Sequence, residues 1–195
     1  MVDAGPLIDL YVGVNVPIGA INQLYGQRDQ LLAPLLQRDV KLSTYTDWMV
    51  ILDCLERVPS ASWEALIWAA RQAFPSIMGK HLVVSGWGSL TMGTRTYWGL
   101  AMAGSLDVFY EELYRGLRRL GFPEGRRRQP LLPLASQEEV REGEEAVLQG
   151  DHEPGGAFPA IPIEELIINH SPSYNIRHSC WARIRAHQGE GVRAP

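Results

Sequence analysis

Lysine is nearly missing from this 195-residue chain: of 18 basic residues only Lys41 and Lys80 are lysines, and the remainder are arginines. We attribute that bias to coding composition rather than to function. A basic excess is missing too. The formal net charge is −4, so the sequence lacks the broad cationic surface that grips long phosphate backbones, and any nucleic-acid ligand should be short or locally held. Cysteine is scarce, with Cys54 and Cys180 each inside an apolar run (LDCLE, HSCWARI); they read as buried free thiols rather than a disulfide. The first residues, MVDAGPLIDLYVGVNVP, carry no basic stretch ahead of a long apolar one, which argues against a signal peptide. No apolar run reaches the length of a membrane span. The expectation is a cytoplasmic protein with no membrane contact. There is no Cys-x-x-Cys, no His-Glu-x-x-His, no phosphate-binding glycine loop and no Gly-x-Ser-x-Gly elbow, so no metal and no cofactor is expected.

What is present is an ordinary globular balance of 46% apolar and 21% charged residues. Residues 1–187 read as one domain and 188–195 as a flexible tail. IDLYVGVNVP alternates and is Val-rich, predicting a strand closed by Pro17. A helical spacing follows over residues 18–37, interrupted by Pro34. WMVILDCL predicts a strand, and the next residues a turn into a helix over VPSASWEALIWAARQAF, with Ser60 or Ser62 as its cap. KHLVVSGWGSL and TRTYWGLAMAG predict a hairpin turning at Met92-Gly93. SLDVFYEELYRGLRRLGF carries an apolar stripe of Leu106, Phe109, Tyr110, Leu113, Leu117 and Leu120, ending at Gly121. LLPLAS follows the arginine triplet Arg126 to Arg128. Ser136 and Glu139 fit a capping box for an acidic helix. IPIEELIINHS and SCWARIRAH predict the last two strands. Strands and helices mixed in this order imply an α+β architecture rather than successive βαβ units.

That order resembles the two-histidine (2H) phosphoesterases, the 2′-5′ RNA ligase-like proteins and RNA 2′,3′-cyclic phosphodiesterases. LYVGVNVP is similar to the family's first strand, HLVVSGWGSL with TYWGLAM to its central hairpin, LDVFYEELYRGLRRLGF to its third long helix, and RRQPLLPLAS to a motif strand introduced by proline. The resemblance implies a bilobal α+β fold, two ferredoxin-like lobes with antiparallel sheets around a central groove. It also implies two His-x-Thr/Ser motifs whose histidines exchange protons with the nucleophile and the leaving oxygen. Aligned through ERVP, the first motif falls on Met49, Val50 and Ile51; aligned through Pro130, the second falls on Leu131, Leu132 and Pro133. Neither keeps a histidine or a hydroxyl. The five histidines are followed by HLV, HEP, HSP, HSC and HQG, so the motif stands nowhere else. Methionine, isoleucine, leucine and proline do not transfer protons.

The expectation is therefore a catalytically degenerate protein of this fold, with no ordinary phosphodiesterase chemistry, that binds a nucleotide, a short RNA end or a protein partner. Two alternatives stay open. One is an active cyclic phosphodiesterase using displaced residues such as His81, His170 or His178. The other is an enzyme or binder of an apolar small molecule. Lys41 and Tyr45 precede the first motif and suit phosphate and base contacts. Asp53 should share a face with Met49 and Ile51 by alternation. Arg95 and Tyr97 open a strand beside the groove, and Arg128 with Gln129 borders the second motif as an anion-binding rim or a solvated loop.

Overall fold

The computed structural model describes residues 7–24, 49–92, 95–122, 127–137, 158–170 and 180–185. Strand β1 (Leu7–Asn15) leads into α1, helical from residue 18 through 24. Then come β2 (Met49–Pro59), α2 (Trp63–Ala73), β3 (His81–Met92), β4 (Arg95–Ala103), α3 (Asp107–Arg119), β5 (Leu131–Gln137), β6 (Ile161–Pro162), β7 (Glu165–Asn169) and β8 (Cys180–Arg185). The eight strands form one antiparallel sheet in the order β6-β3-β4-β5-β2-β1-β7-β8. The expected α+β class holds.

One face of the sheet carries the helices. Leu10, Val12 and Val14 of β1, Val50 and Leu52 of β2, Leu100 and Met102 of β4 and Leu166 and Ile168 of β7 join Leu24, Leu66, Phe109 and Leu113 of the helices in a single core. Burial at two-residue spacing on the strands and helical spacing on α3 is what the sequence pattern required. Where α2 crosses α3, a Cβ on Gly116 would lie 3.0 Å from the Ala69 Cβ, so two small residues set the approach. Gly121, at φ 82°, ends α3. The Gly121 amide donates to the Arg118 carbonyl and the Phe122 amide to that of Leu117, as a left-handed helix end requires. Leu120, the last residue of the predicted stripe, is exposed.

Several boundaries differ from expectation. β2 does not turn at ERVP but continues to Pro59 against β1. It does so through two bulges. Leu52 is extra between the pairs Val12↔Asp53 and Gly13↔Ile51, and Glu56-Arg57 face the single residue Asp9, with Arg57 at φ 51° and its amide on Asp9 Oδ1. Neither Ser60 nor Ser62 makes a side-chain cap; a 3₁₀ turn over Ser60–Ser62 leads into α2 instead. Met92 pairs with Arg95 and so belongs to β3 rather than to the turn. Ser136 pairs with Tyr97 inside β5, which places it in a strand instead of a capping box; the helix expected after it lies outside the described residues. IPIEELIIN is two strands rather than one: β6 pairs with β3 and β7 with β1.

The sheet has two four-stranded halves joined by one residue pair, Ile51↔Leu131.

Candidate functional site

The face opposite the helices holds a second apolar cluster: Tyr11, Met49, Ile51, Cys54, Leu90, Tyr97, Leu131 and Ile167. It gathers Met49, Ile51 and Leu131, three of the four positions on which the resemblance sets the two motifs. Ile51 and Leu131 face each other at the junction of the two halves, 1% and 2% exposed. A cross-strand row runs through them: Arg183, Ile167, Gly13, Ile51, Leu131, Ala101. Gly13 is needed there, because a Cβ on it would overlap the Met49 thioether chain and the Val50 carbonyl oxygen. The fourth position, Pro133, pairs with Gly99 in β5. β5 meets β2 only at Leu131, so the amide that Pro133 lacks interrupts no ladder on that side.

Tyr11 of β1 and Tyr97 of β4 share a side-chain hydrogen bond. Strands β5 and β2 lie between theirs, a separation of about 14 Å in a flat sheet. The two tyrosines also lie on opposite sides of the Ile51–Leu131 row, which adds about 20 Å along the strands. The bond therefore requires the two halves to turn toward each other on this face. On this concave face, the cleft between the halves, Ile51 and Leu131 lie at the junction and the tyrosines span it, with every residue of the cluster buried. Burial drives the Tyr11 hydroxyl far above its ordinary range, reinforced by Tyr97, and burial does the same to the Cys54 thiol. Cys54 is a free, buried cysteine, as expected, and neither group ionises near neutrality.

Asp53 is not on this face as simple alternation predicts. The Leu52 bulge breaks the alternation, so Cys54 takes the cleft side. The Asp53 carboxylate instead accepts 2.7 Å from the Tyr114 hydroxyl of α3 and 2.8 Å from the Cys54 amide. Burial pushes its pKa up to about 6, opposed by those two hydrogen bonds and by Arg128. Beside it the Tyr110 hydroxyl donates to the Leu52 carbonyl at 2.9 Å. Arg128 is ion-paired to Glu56 and reaches the Thr91 carbonyl at 3.3 Å, so it ties β2 to β3. Gln129 donates to the Ser85 hydroxyl at 3.3 Å. Of the remaining candidates, Tyr97 lies in the cleft, Arg95 opens β4, and Lys41 and Tyr45 lie outside the described residues.

His81 and His170 are exposed at strand ends; His178 lies outside the described residues. His81 stands nine residues up β3 from Leu90 of the cleft cluster, about 30 Å along the strand. Among the described residues no group of three His, Cys, Asp or Glu side chains is placed to hold a metal ion, and no helix is long and apolar enough to cross a membrane.

Sequence reasoning misses one polar cluster on the cleft face. Glu165, 6% exposed at its side chain, accepts from Arg183, Arg185 and Asn15. The signal for it is the alternation of ELIIN with WARIR, which places Glu165 and both arginines on one face.

No family model and no curated protein matches the chain in sequence. In structure it is similar to E. coli LigT in its apo form (TM-score 0.58, 15% identity, 94% of this chain, 99% of that one) and to E. coli LigT complexed with 3′-AMP (0.55, 14%, 94%, 100%). A further similar structure is that of a phosphoesterase (0.53, 15%, 94%, 99%). The eight-stranded antiparallel sheet and the helices on its one face are thus a LigT-like arrangement, and the fold of this chain is that of the 2H phosphoesterases.

Proposed function

We propose that this chain binds its ligand without cleaving it: a catalytically silent protein of the LigT-type fold whose cleft takes a nucleotide, a short RNA end or a segment of a partner protein. The observation that carries this reading is the pair Ile51–Leu131. These residues stand where the resemblance sets motif positions, they face each other at the bottom of the cleft, and both are sealed in an apolar cluster. Acid-base catalysis needs a group of suitable pKa within hydrogen-bond reach of the reacting oxygen. Two ionisable groups of the cleft cluster, Tyr11 and Cys54, have their pKa values driven away from neutrality, which supports binding over proton transfer.

The test pairs a thermal-shift screen against 2′,3′-cyclic nucleotides and short 2′-5′ and 3′-5′ oligonucleotides with analysis of the products. Stabilisation without turnover supports the proposal; a ligand at 100 times its dissociation constant adds about 2.7 kcal/mol. Turnover that disappears on replacing His81, His170 or His178 would overturn it in favour of displaced catalytic residues. The apolar character of Met49, Ile51, Leu131 and Ile167 favours a second reading, a hydrophobic small molecule in the cleft. Apolar compounds, and not nucleotides, would then shift the melting temperature.

A further inference from the structure

Glu165 is buried in β7, on the cleft face, and two arginines hold it. Arg185 Nε donates to Oε1 at 2.6 Å and Arg183 to Oε2 at 3.3 Å; the Asn15 amide reaches Oε2 at 3.1 Å. A buried carboxylate requires one compensating cation. This one has two, so the cluster carries a surplus positive charge in a chain whose net charge is −4. The surplus faces water: the Arg183 and Arg185 side chains are 38% and 50% exposed, against 6% for Glu165. Guanidinium groups fixed by a buried acceptor and open on their outer side are preorganised for an oxyanion, because their planar forks match its oxygens and little side-chain freedom remains to be lost.

The position adds to the chemistry. Arg183 lies in the row that continues through Ile167 and Gly13 to Ile51, three strand spacings or about 14 Å from the cleft bottom. Arg185 pairs with Glu165, and Asn15 pairs with Met49. The cluster is therefore the polar margin of the same face whose centre is apolar.

We propose that Arg183 and Arg185, positioned by Glu165, form a binding site for an oxyanion, the phosphate or carboxylate end of a ligand whose remainder extends toward the cleft. Only the placement of that remainder rests on the binding function proposed above; the oxyanion site itself stands on its own geometry.

The experiment is a titration of the whole chain with inorganic phosphate and, separately, acetate, at low ionic strength, followed by the arginine side-chain ¹⁵N–¹H signals. Phosphate is expected to shift the Arg183 and Arg185 signals saturably, with binding that weakens as salt is added. Arg183→Gln with Arg185→Gln is expected to weaken binding about tenfold or more. Since the double change leaves Glu165 buried without a cation, Arg183→Lys serves as the second variant; it keeps the charge, loses the fork, and should weaken phosphate severalfold. A response to acetate equal to that to phosphate identifies a general carboxylate-type site, and a preference for phosphate a phosphate site; both support the proposal. Signals that stay fixed with either anion, or a folded double variant that binds as tightly as the parent, overturn it. Turnover of a cyclic nucleotide with phosphate binding intact would refute the silent reading and leave the arginine site standing.

Discussion

Tyr11 and Tyr97 meet hydroxyl to hydroxyl across the cleft, although two strands separate theirs. Each comes from a different half of the sheet, and each is buried. Replacing either with phenylalanine leaves the other hydroxyl buried without this partner, at a cost of about 1–3 kcal/mol. Removing both should cost less than the sum, because each single change already breaks the shared bond. Denaturant unfolding of the two single variants and the double variant closes the cycle; additive losses would mean that the two hydroxyls do not depend on each other.

Asp53 should make stability fall as pH rises. Its folded pKa of about 6 stands above the ordinary 3.8, chiefly through burial. The folded state therefore holds its proton more tightly than the unfolded chain does. The contribution is full below about pH 4, declines through about pH 6 and is absent above it, a swing of about 3 kcal/mol. Asp53→Asn should flatten this part of the profile, since a neutral amide keeps an acceptor for the Tyr114 hydroxyl. Urea unfolding on the acid and the alkaline side of this window, at about pH 3.5 and about pH 7.5, measures the swing in parent and variant; an unchanged profile in the variant would assign the pH dependence elsewhere.

Gly99 is irreplaceable by any side chain. A Cβ there would overlap the Leu132 carbonyl oxygen in the adjacent strand, where the β4–β5 register already shifts. Gly99→Ala is expected to cost several kcal/mol, at the upper end of single substitutions. Gly19→Ala, with nothing within 4 Å of the added atom, is the control and should leave the melting temperature within a few degrees of the parent.

Placing a hydroxyl at the cleft bottom should not restore an enzyme. Ile51 is 1% exposed among apolar neighbours, so Ile51→Thr buries a hydroxyl and loses apolar volume, for about 1–3 kcal/mol of stability. Unfolding and cyclic-nucleotide assays on the same preparation check this; a stable variant with new turnover would show that the cleft bottom is more open than its burial indicates.

The fold is legible in the sequence because its strands alternate and its third helix carries a clean stripe. Counting by twos along β1 places Leu10, Val12 and Val14 together in the core, and Gly121 marks the helix end by a left-handed conformation that glycine adopts without strain. Alternation misplaces Asp53 because it assumes an unbroken ladder, and a bulge is invisible in one strand read alone: it exists only relative to Val12 and Gly13 of the partner. The split of IPIEELIIN is hidden for the same reason, since its two parts differ in their neighbours and not in composition. Glu165 escapes notice because its importance lies in Arg183 and Arg185, on a different strand.

The strand order also fixes a schedule for assembly. Strands β3, β4, β5 and β6 come from residues 81–162, whereas β1 and β2 share their half with β7 and β8, from residues 165–185. On the ribosome the first of these halves can close while β1 still waits for its neighbour β7, which is made after the whole of that half. Until β7 arrives, the Leu10-to-Val14 stretch presents an apolar, unpaired edge, the kind of surface on which nascent chains associate. Chains stopped just after β6, at Pro162, should accordingly gather on chaperones, and release should coincide with the emergence of the last two strands.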